Sequence, residues 1–356
     1  MHFADGTTPL GYRRYIQRKT LFLATSVLLL FGCIILALSL GAASVPFSAV
    51  VRTLCGLPVE QRLEIIIWHI RLPQVLTACV AGAGLAGAGA AMQAILRNPL
   101  GSPFTLGISH AAAFGAALAV MLLGATGLQN TDIAGLDVAG STWITAAAFF
   151  ASLSAAAIIL LVSRLRGSSP ETMVLTGVAL GALFTAGTMF LQFFADDMEL
   201  AAMVFWTFGD TARATWGELG ALATATLLSG LYFYCHSWNY NAIEAGETTA
   251  KGLGVRVNAI RLMGMLVATL VTAIIIAFLG IIGFVGLVVP HMVRRCIGAD
   301  HRFLLPASLL LGAVLLLASD TVARLLLTPQ VLPVSVLTAF LGAPVFLLLI
   351  LRGKRL

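Results

Sequence analysis

The residues able to do chemistry are few and widely spaced. Gly82, Gly84 and Gly87 fit GxGxxG. A dinucleotide fingerprint must follow a strand and open a helix; this one lies inside an apolar helical run and reads as helix packing. No GxxxxGK[ST] occurs. The nearest lookalike, residues 246–252, has Lys251 ahead of a glycine and cannot cradle phosphate. No HExxH occurs, and His2, His69, His110, His236, His291 and His301 are scattered. Cys33, Cys55, Cys79, Cys235 and Cys296 show no CxxC or metal-ligand spacing. No catalytic residue, metal site or bound cofactor is expected of this chain.

What remains are charges at helical spacing and breaks in apolar runs. Asp320 and Arg324 are four residues apart, so they share one helix face, either as a local ion pair or as a charged knob for docking. Arg71 precedes Leu72, Pro73 and Gln74 at the start of a long apolar run. It either snorkels to headgroups or presents its charge to a partner's carboxylate. The longest polar stretch, residues 241–255, carries Glu244 and Glu247 ahead of Lys251, with Gly252 and Gly254 placed to end a short helix. It is a surface for a partner or a solvated linker. Residues 96–103 hold two prolines and a glycine, a rigid connector, and Gly107, Ser109 and His110 begin the next helix. Gly280, Gly283, Gly286 and Pro290 interrupt an apolar run, which suggests a broken or tightly packed helix of the kind found beside transport paths.

The elements that must position these groups follow from composition. Of 356 residues, 59% are hydrophobic and 10% charged, and mean hydropathy is +0.99. A soluble domain carries roughly 25% charged residues, so this surface faces lipid. The net charge of +6 then reads as a topology signal and not as nucleic-acid binding. A crossing helix needs about 20 apolar residues, and apolar segments fall at about 20–43, 63–95, 105–124, 141–164, 171–195, 217–236, 259–280, 283–294, 303–323 and 333–351. The expectation is an all-α polytopic membrane protein of about ten transmembrane helices. Residues 1–19 form a cytoplasmic N-terminal segment and 20–356 a single transmembrane domain. The eighth segment is too short to cross alone and is expected to extend or to lie buried among others. The basic residues preceding a long, uncleaved first run put the N-terminus in the cytoplasm. An even number of spans then gathers Arg97, Arg164, Arg166, Lys251, Arg256, Arg294, Arg295, Arg302, Arg352, Lys354 and Arg355 on that side, and Asp132, Asp137, Asp196, Asp197 and Glu199 on the other. Arg52, Arg62, Arg71, Arg213 and Arg324 are outer exceptions that need a reason. The loops are too short for a soluble domain, so any energy-supplying module is another chain.

Taken in order, these stretches resemble the FecCD-type permeases, the membrane subunits of type II ABC importers for iron chelates, haem and cobalamin. The resemblance runs from about residue 60 to the C-terminus. It is carried by residues 70–73 (IRLP), Met92-Gln93, 97–100 (RNPL), 106–109 (LGIS), 175–181 (LTGVALG), 252–254 (GLG), 283–291 (GFVGLVVPH), 300–302 (DHR), 332–334 (LPV) and 342–344 (GAP). It implies a type II importer permease fold in the bacterial cytoplasmic (inner) membrane, both termini cytoplasmic, paired with a second copy around a central path. Two cytoplasmic ATPase subunits, which use ATP and Mg²⁺, bind on one side, and a periplasmic substrate-binding protein docks on the other. It further implies that residues 241–258 form the ATPase-coupling loop, with Glu244, Gly246, Glu247, Lys251, Gly252, Leu253 and Gly254. Arg71 and Arg324 match docking positions; a third, often Arg, is Gln74 here, and Arg52 or Arg62 compensates if the geometry allows. Leu100, Gly107, Ser109, Gly283, Gly286 and Pro290 are expected to line or gate the path. A rival reading, a secondary transporter driven by H⁺ or Na⁺, needs ionisable residues at mid-membrane, and the spans are nearly free of them. An intramembrane enzyme would need a nucleophile or metal cluster that is not found.

Overall fold

The computed structural model describes residues 10–41, 45–129, 138–166, 169–327 and 330–351. Asp132, Asp137, Arg352, Lys354, Arg355 and both chain termini therefore lie outside the described residues.

The described chain is helical throughout. The order is α1 (Leu10–Ser39), α2 (Phe47–Leu54), α3 (Gln61–Ile65), a π-helical turn (Ile66–Arg71), α4 (Leu72–Leu96), α5 (Ile108–Gln129), α6 (Val138–Leu165), α7 (Pro170–Phe194) and α8 (Asp197–Thr207). A 3₁₀ turn (Thr211–Arg213) leads to α9 (Trp216–Cys235), α10 (Ser237–Glu244), α11 (Glu247–Gly252), α12 (Val257–Leu279), α13 (Val285–Ile297), α14 (His301–Leu326) and α15 (Val334–Leu351). Six helices among the described residues are long and apolar enough to cross a membrane: Gly11–Ser39, Gln61–Leu96, Thr142–Leu165, Pro170–Phe194, Val257–Leu279 and His301–Leu326. A helix overlies each of the other expected segments, and α13 has only 13 residues.

Two boundaries differ from the sequence expectation for physical reasons. The first helix begins ten residues before the apolar run, so the basic residues from Arg13 to Lys19 are its opening turns. Pro73 sits in the first turn of α4, but that helix continues a preceding one without a break. The backbone runs helically from Gln61 to Leu96, and the turn just before the proline widens to π geometry. Proline lacks an N–H and its ring crowds the carbonyl four residues back; a π turn relieves both.

At the centre stands α4, buried along nearly its whole length and packed on α9, α12, α13 and α14. Its run of Gly and Ala is the reason. Gly82 meets the backbone of Gly312 in α14, and Gly89 meets that of Gly286 in α13, so closely that a Cβ at either would overlap a carbonyl. In lipid, helix association comes from such packing and not from the hydrophobic effect. The GxGxxG segment is thus a helix-crossing surface. By contrast α7 leaves most of its apolar face uncovered, with Leu175, Val178, Leu183, Met189, Phe190 and Phe193 exposed.

Two helices were not anticipated, α2 and α8. Residues 196–199, read as an acidic loop, form a capping box at the start of α8. The Asp196 carboxylate accepts from the Glu199 N–H at 2.7 Å, and Glu199 accepts from the Asp196 N–H at 3.1 Å. The Asp-x-x-Glu spacing was the available signal.

Candidate coupling and translocation sites

The polar stretch after α9 folds as two short helices and not one. Ile243, Ala242, Ala250 and Val257 make a small apolar core beneath them. Gly246, at φ 129°, breaks the chain between α10 and α11. The end of α11 is a Schellman cap: Gly254 adopts φ 81°, its N–H donates to Lys251 O at 3.0 Å, and the Val255 N–H donates to Ala250 O at 3.0 Å. A side chain other than glycine is strained at that position. Gly252 closes the helix without needing such freedom. Beyond this tight turn Lys251 and Leu253 project into the open, Leu253 being 70% exposed. The exposed leucine at the tip of this polar, rigidly capped turn is open to a partner.

The two glutamates serve different partners because the helix breaks between them. Glu247 pairs with Lys251 at 3.0 Å and with Arg261 at 3.2 Å. The hydrogen bond from Lys251 and then that from Arg261 hold its carboxyl below the usual range. Glu244 turns away to Arg294 of α13 at 3.1 Å; burial pushes its carboxyl up against that pull. Arg261, almost wholly buried in α12, also donates from Nε to Ile95 O at 3.1 Å, in the last turn of α4. This residue was missed in the sequence, where the signal was a lone charge in an apolar span, which always requires a partner.

A second tie joins the same end. The Asp300 carboxylate accepts from Asn241 Nδ2 at 3.0 Å and from Arg302 Nη2 at 2.7 Å, and Lys19 of α1 lies 3.9 Å away. The Asn241 side-chain oxygen in turn accepts from the His301 N–H at 2.8 Å, so α10 is fastened to the start of α14. Burial alone would raise the Asp300 carboxyl; the hydrogen bonds from Arg302 and Asn241 outweigh it and hold the group at about 2. A carboxyl depressed in the fold stabilises it above its unfolded value near 3.9, and that contribution is lost as pH falls through the folded value. The thermal midpoint in detergent should therefore drop between about pH 4 and pH 2, and the drop should be smaller in Asp300→Asn. Parallel curves for the two proteins would refute this assignment.

The opposite end of α4 gathers the other candidates. Arg71 is buried and donates to Leu38 O at 2.6 Å and Ser39 O at 2.9 Å, capping the C-terminus of α1. It neither snorkels nor faces outward, which corrects both readings of its orientation. Gln74, also buried, donates to Asp320 Oδ1 at 3.1 Å, Thr211 donates to the same oxygen, and Arg324 Nε donates to Oδ2 at 3.0 Å. The four-residue spacing of Asp320 and Arg324 is thus an ion pair, partly buried. Arg213 caps α8 through the carbonyls of Phe205, Trp206 and Phe208. These contacts explain three of the five arginines that the charge pattern sets on the side opposite the basic clusters; Arg52 and Arg62 are exposed.

The path candidates only partly converge. Ser109 and Gly286 line one cavity of about 10 Å³, with Phe104, Phe284 and Leu287 among its walls, about the space of a single water. Gly283 lies beside Phe104. Phe284 starts α13 at φ 65°, a strained value for a bulky residue. A groove of about 170 Å³ continues outward past Ser109, His110, Thr185, Thr188 and Gln192 toward the open face of α7. Gly107, at φ 77°, does not line this space; it lets α5 approach Gly177 and Gly181 of α7. Leu100 is exposed at the turn after α4, and Pro290 is buried inside α13. Among the described residues no group of three His, Cys, Asp or Glu could hold a metal.

The sequence profile of the FecCD transport family matches residues 28–352. The chain belongs to the FecCD transport family. Such a chain is a permease, the membrane subunit of an ABC importer. A protein of Methanocaldococcus jannaschii that bears the provisional name ABC transporter permease is 51% identical over 97% of this chain and 98% of its own length. The hemin transport system permease of Yersinia pestis is 38% identical over 92% of this chain and 95% of its own. A solved inward-facing structure of a transporter provisionally classed as metal-chelate type ABC superposes with a TM-score of 0.80 at 31% identity, covering 93% of this chain and 99% of that one. In this FecCD permease, the capped turn at 251–254 and the cavity at Ser109 are joined through α4, which touches Arg261 at one point and Gly286 at another.

Proposed function

We propose that two copies of this permease enclose a central path for an iron chelate, haem or cobalamin, and that ATP hydrolysed with Mg²⁺ on two separate ATPase subunits opens it to each side in turn. The capped α10–α11 unit carries this reading. It offers Lys251 and Leu253 to a partner, and its Glu247–Arg261–Ile95 tie is the means by which a push on α11 reaches α4. In this reading α1, α4, α5, α6, α7, α9, α12, α13, α14 and α15 are the ten membrane helices, both termini are cytoplasmic, and the exposed face of α7 meets the second copy. Cargo arrives from a periplasmic binding protein at the end holding Arg71, Gln74 and Arg324. Arg324 at the rim supplies docking charge, while Arg71 and Gln74 hold the floor beneath it. The path is narrow and mostly apolar, so cargo passes without a tight site. No nucleic acid is involved.

In proteoliposomes with ATPase subunits and binding protein, uptake should fall to background when the ATPase carries a defective Walker lysine. Uptake that persists would favour an ion-driven carrier. Arg324→Gln should slow association of the binding protein several-fold, most at low salt, while ATPase assembly is unchanged. Equal impairment of both steps would contradict the assigned sides.

A further inference from the structure

We infer that a groove between the opening turns of α1 and the last turn of α13 binds the headgroup of an anionic phospholipid. The groove encloses about 630 Å³ and is walled by Arg14, Tyr15, Arg18 and Phe22 on one side and by Cys296 and Ile297 on the other. Arg14, Arg18 and Phe22 follow one another at four-residue spacing, so they form a single stripe along α1.

Charge use at this end leaves the groove's arginines unmatched. Lys19 pairs with Asp300, Arg302 with Asp300, Arg294 with Glu244, and Arg261 and Lys251 with Glu247. Arg14 and Arg18 are exposed and make no ion pair among the described residues, and among those residues no acidic one lines the groove. Two unpaired guanidinium groups one turn apart match a phosphodiester, which the planar fork binds with two parallel hydrogen bonds. Depth decides the source of the phosphate. The stripe is charged up to Arg18 and apolar from Phe22 inward, with no charged residue from Leu21 to Ser39. The groove therefore spans the headgroup-to-acyl boundary, where basic pockets between membrane helices hold anionic lipid. A free phosphate would leave its apolar half empty. The inference needs only that α1 lies in the membrane, so it stands apart from the transport reading.

The test uses the full chain in detergent and in nanodiscs. By native mass spectrometry, phosphatidylglycerol should stay bound where phosphatidylcholine does not, and millimolar inorganic phosphate should not displace it. Arg14→Gln with Arg18→Gln should weaken retention roughly 30-fold, about a factor of five for each basic side chain near the surface. Arg164→Gln with Arg166→Gln removes the same charge from exposed positions outside the groove and should change little. Cys296, exposed in the groove wall, should react more slowly with a maleimide in phosphatidylglycerol nanodiscs than in phosphatidylcholine ones, with exposed Cys55 and Cys235 as internal controls. Equal losses from both arginine pairs would overturn the proposal, as would displacement by phosphate. So would protection of Cys296 by added ATPase subunits and not by anionic lipid.

Discussion

Gly89→Ala should yield little folded protein, although alanine is the better helix former. At this position α4 and α13 touch backbone to backbone, and an added methyl would overlap the Gly286 carbonyl. No flexible side chain can yield there. The helices must separate, which also stretches the bond from Gln93 Nε2 to Leu287 O, 3.2 Å in the fold. Overpacking costs about 1–3 kcal/mol when side chains adjust and more when backbones must move. Gly32→Ala in α1 is the control, since nothing lies within 4 Å of its added carbon; stability should be unchanged or rise by a fraction of a kcal/mol, up to about 1. Fluorescence-detected size-exclusion and thermal midpoints would report both. A Gly89→Ala protein as stable as the parent would mean that the α4–α13 crossing is looser than described.

The second large effect concerns Arg261 and Glu247, and it is asymmetric. Glu247→Ala takes this carboxylate from an almost wholly buried guanidinium; removing one partner of a fully buried pair costs about 3–5 kcal/mol, and the cost here is smaller because Glu247 itself is about a third exposed. Arg261→Met removes the charge, fills similar volume, and leaves Glu247 with Lys251 and partial access to water. It should be the milder change, about 1–3 kcal/mol, because it removes the charge together with its hydrogen bonds, that to the Ile95 carbonyl among them. Adding Arg261→Met to Glu247→Ala should therefore recover stability. All three variants loosen α11 from α4, so all should lose ATP-driven uptake in reconstituted vesicles, including the one that regains stability. That separation distinguishes a transmitting contact from a merely stabilising one. Arg261→Met proving the more damaging single change would invert the argument, and uptake restored together with stability would remove the coupling role.

Much of this protein was legible in its sequence because lipid imposes one-dimensional rules. Length and apolarity place helices, since every backbone polar group must be satisfied within its own segment. Gly and Ala density marks the close crossings of α4, and Gly254 marks where the polar stretch must turn, whereas the break at Gly246 was not read from the sequence, which suggested a single short helix. What the tertiary structure alone decided is which way each charge faces. Arg71 turns inward because α1 ends beside it with open carbonyls. Glu244 reaches α13 and not its own sequence neighbours because Gly246 breaks the helix between them. Asp320 is fixed by Gln74, Thr211 and Arg324, which come from three separate elements, and Arg261 is tolerated in an apolar helix because groups such as the Ile95 carbonyl and the Glu247 carboxylate meet it in space. Apart from the i,i+4 pair of Asp320 with Arg324, which its spacing announced, these partners lie far apart along the chain, so no local spacing encodes them and only packing of the helices brings them within hydrogen-bond reach.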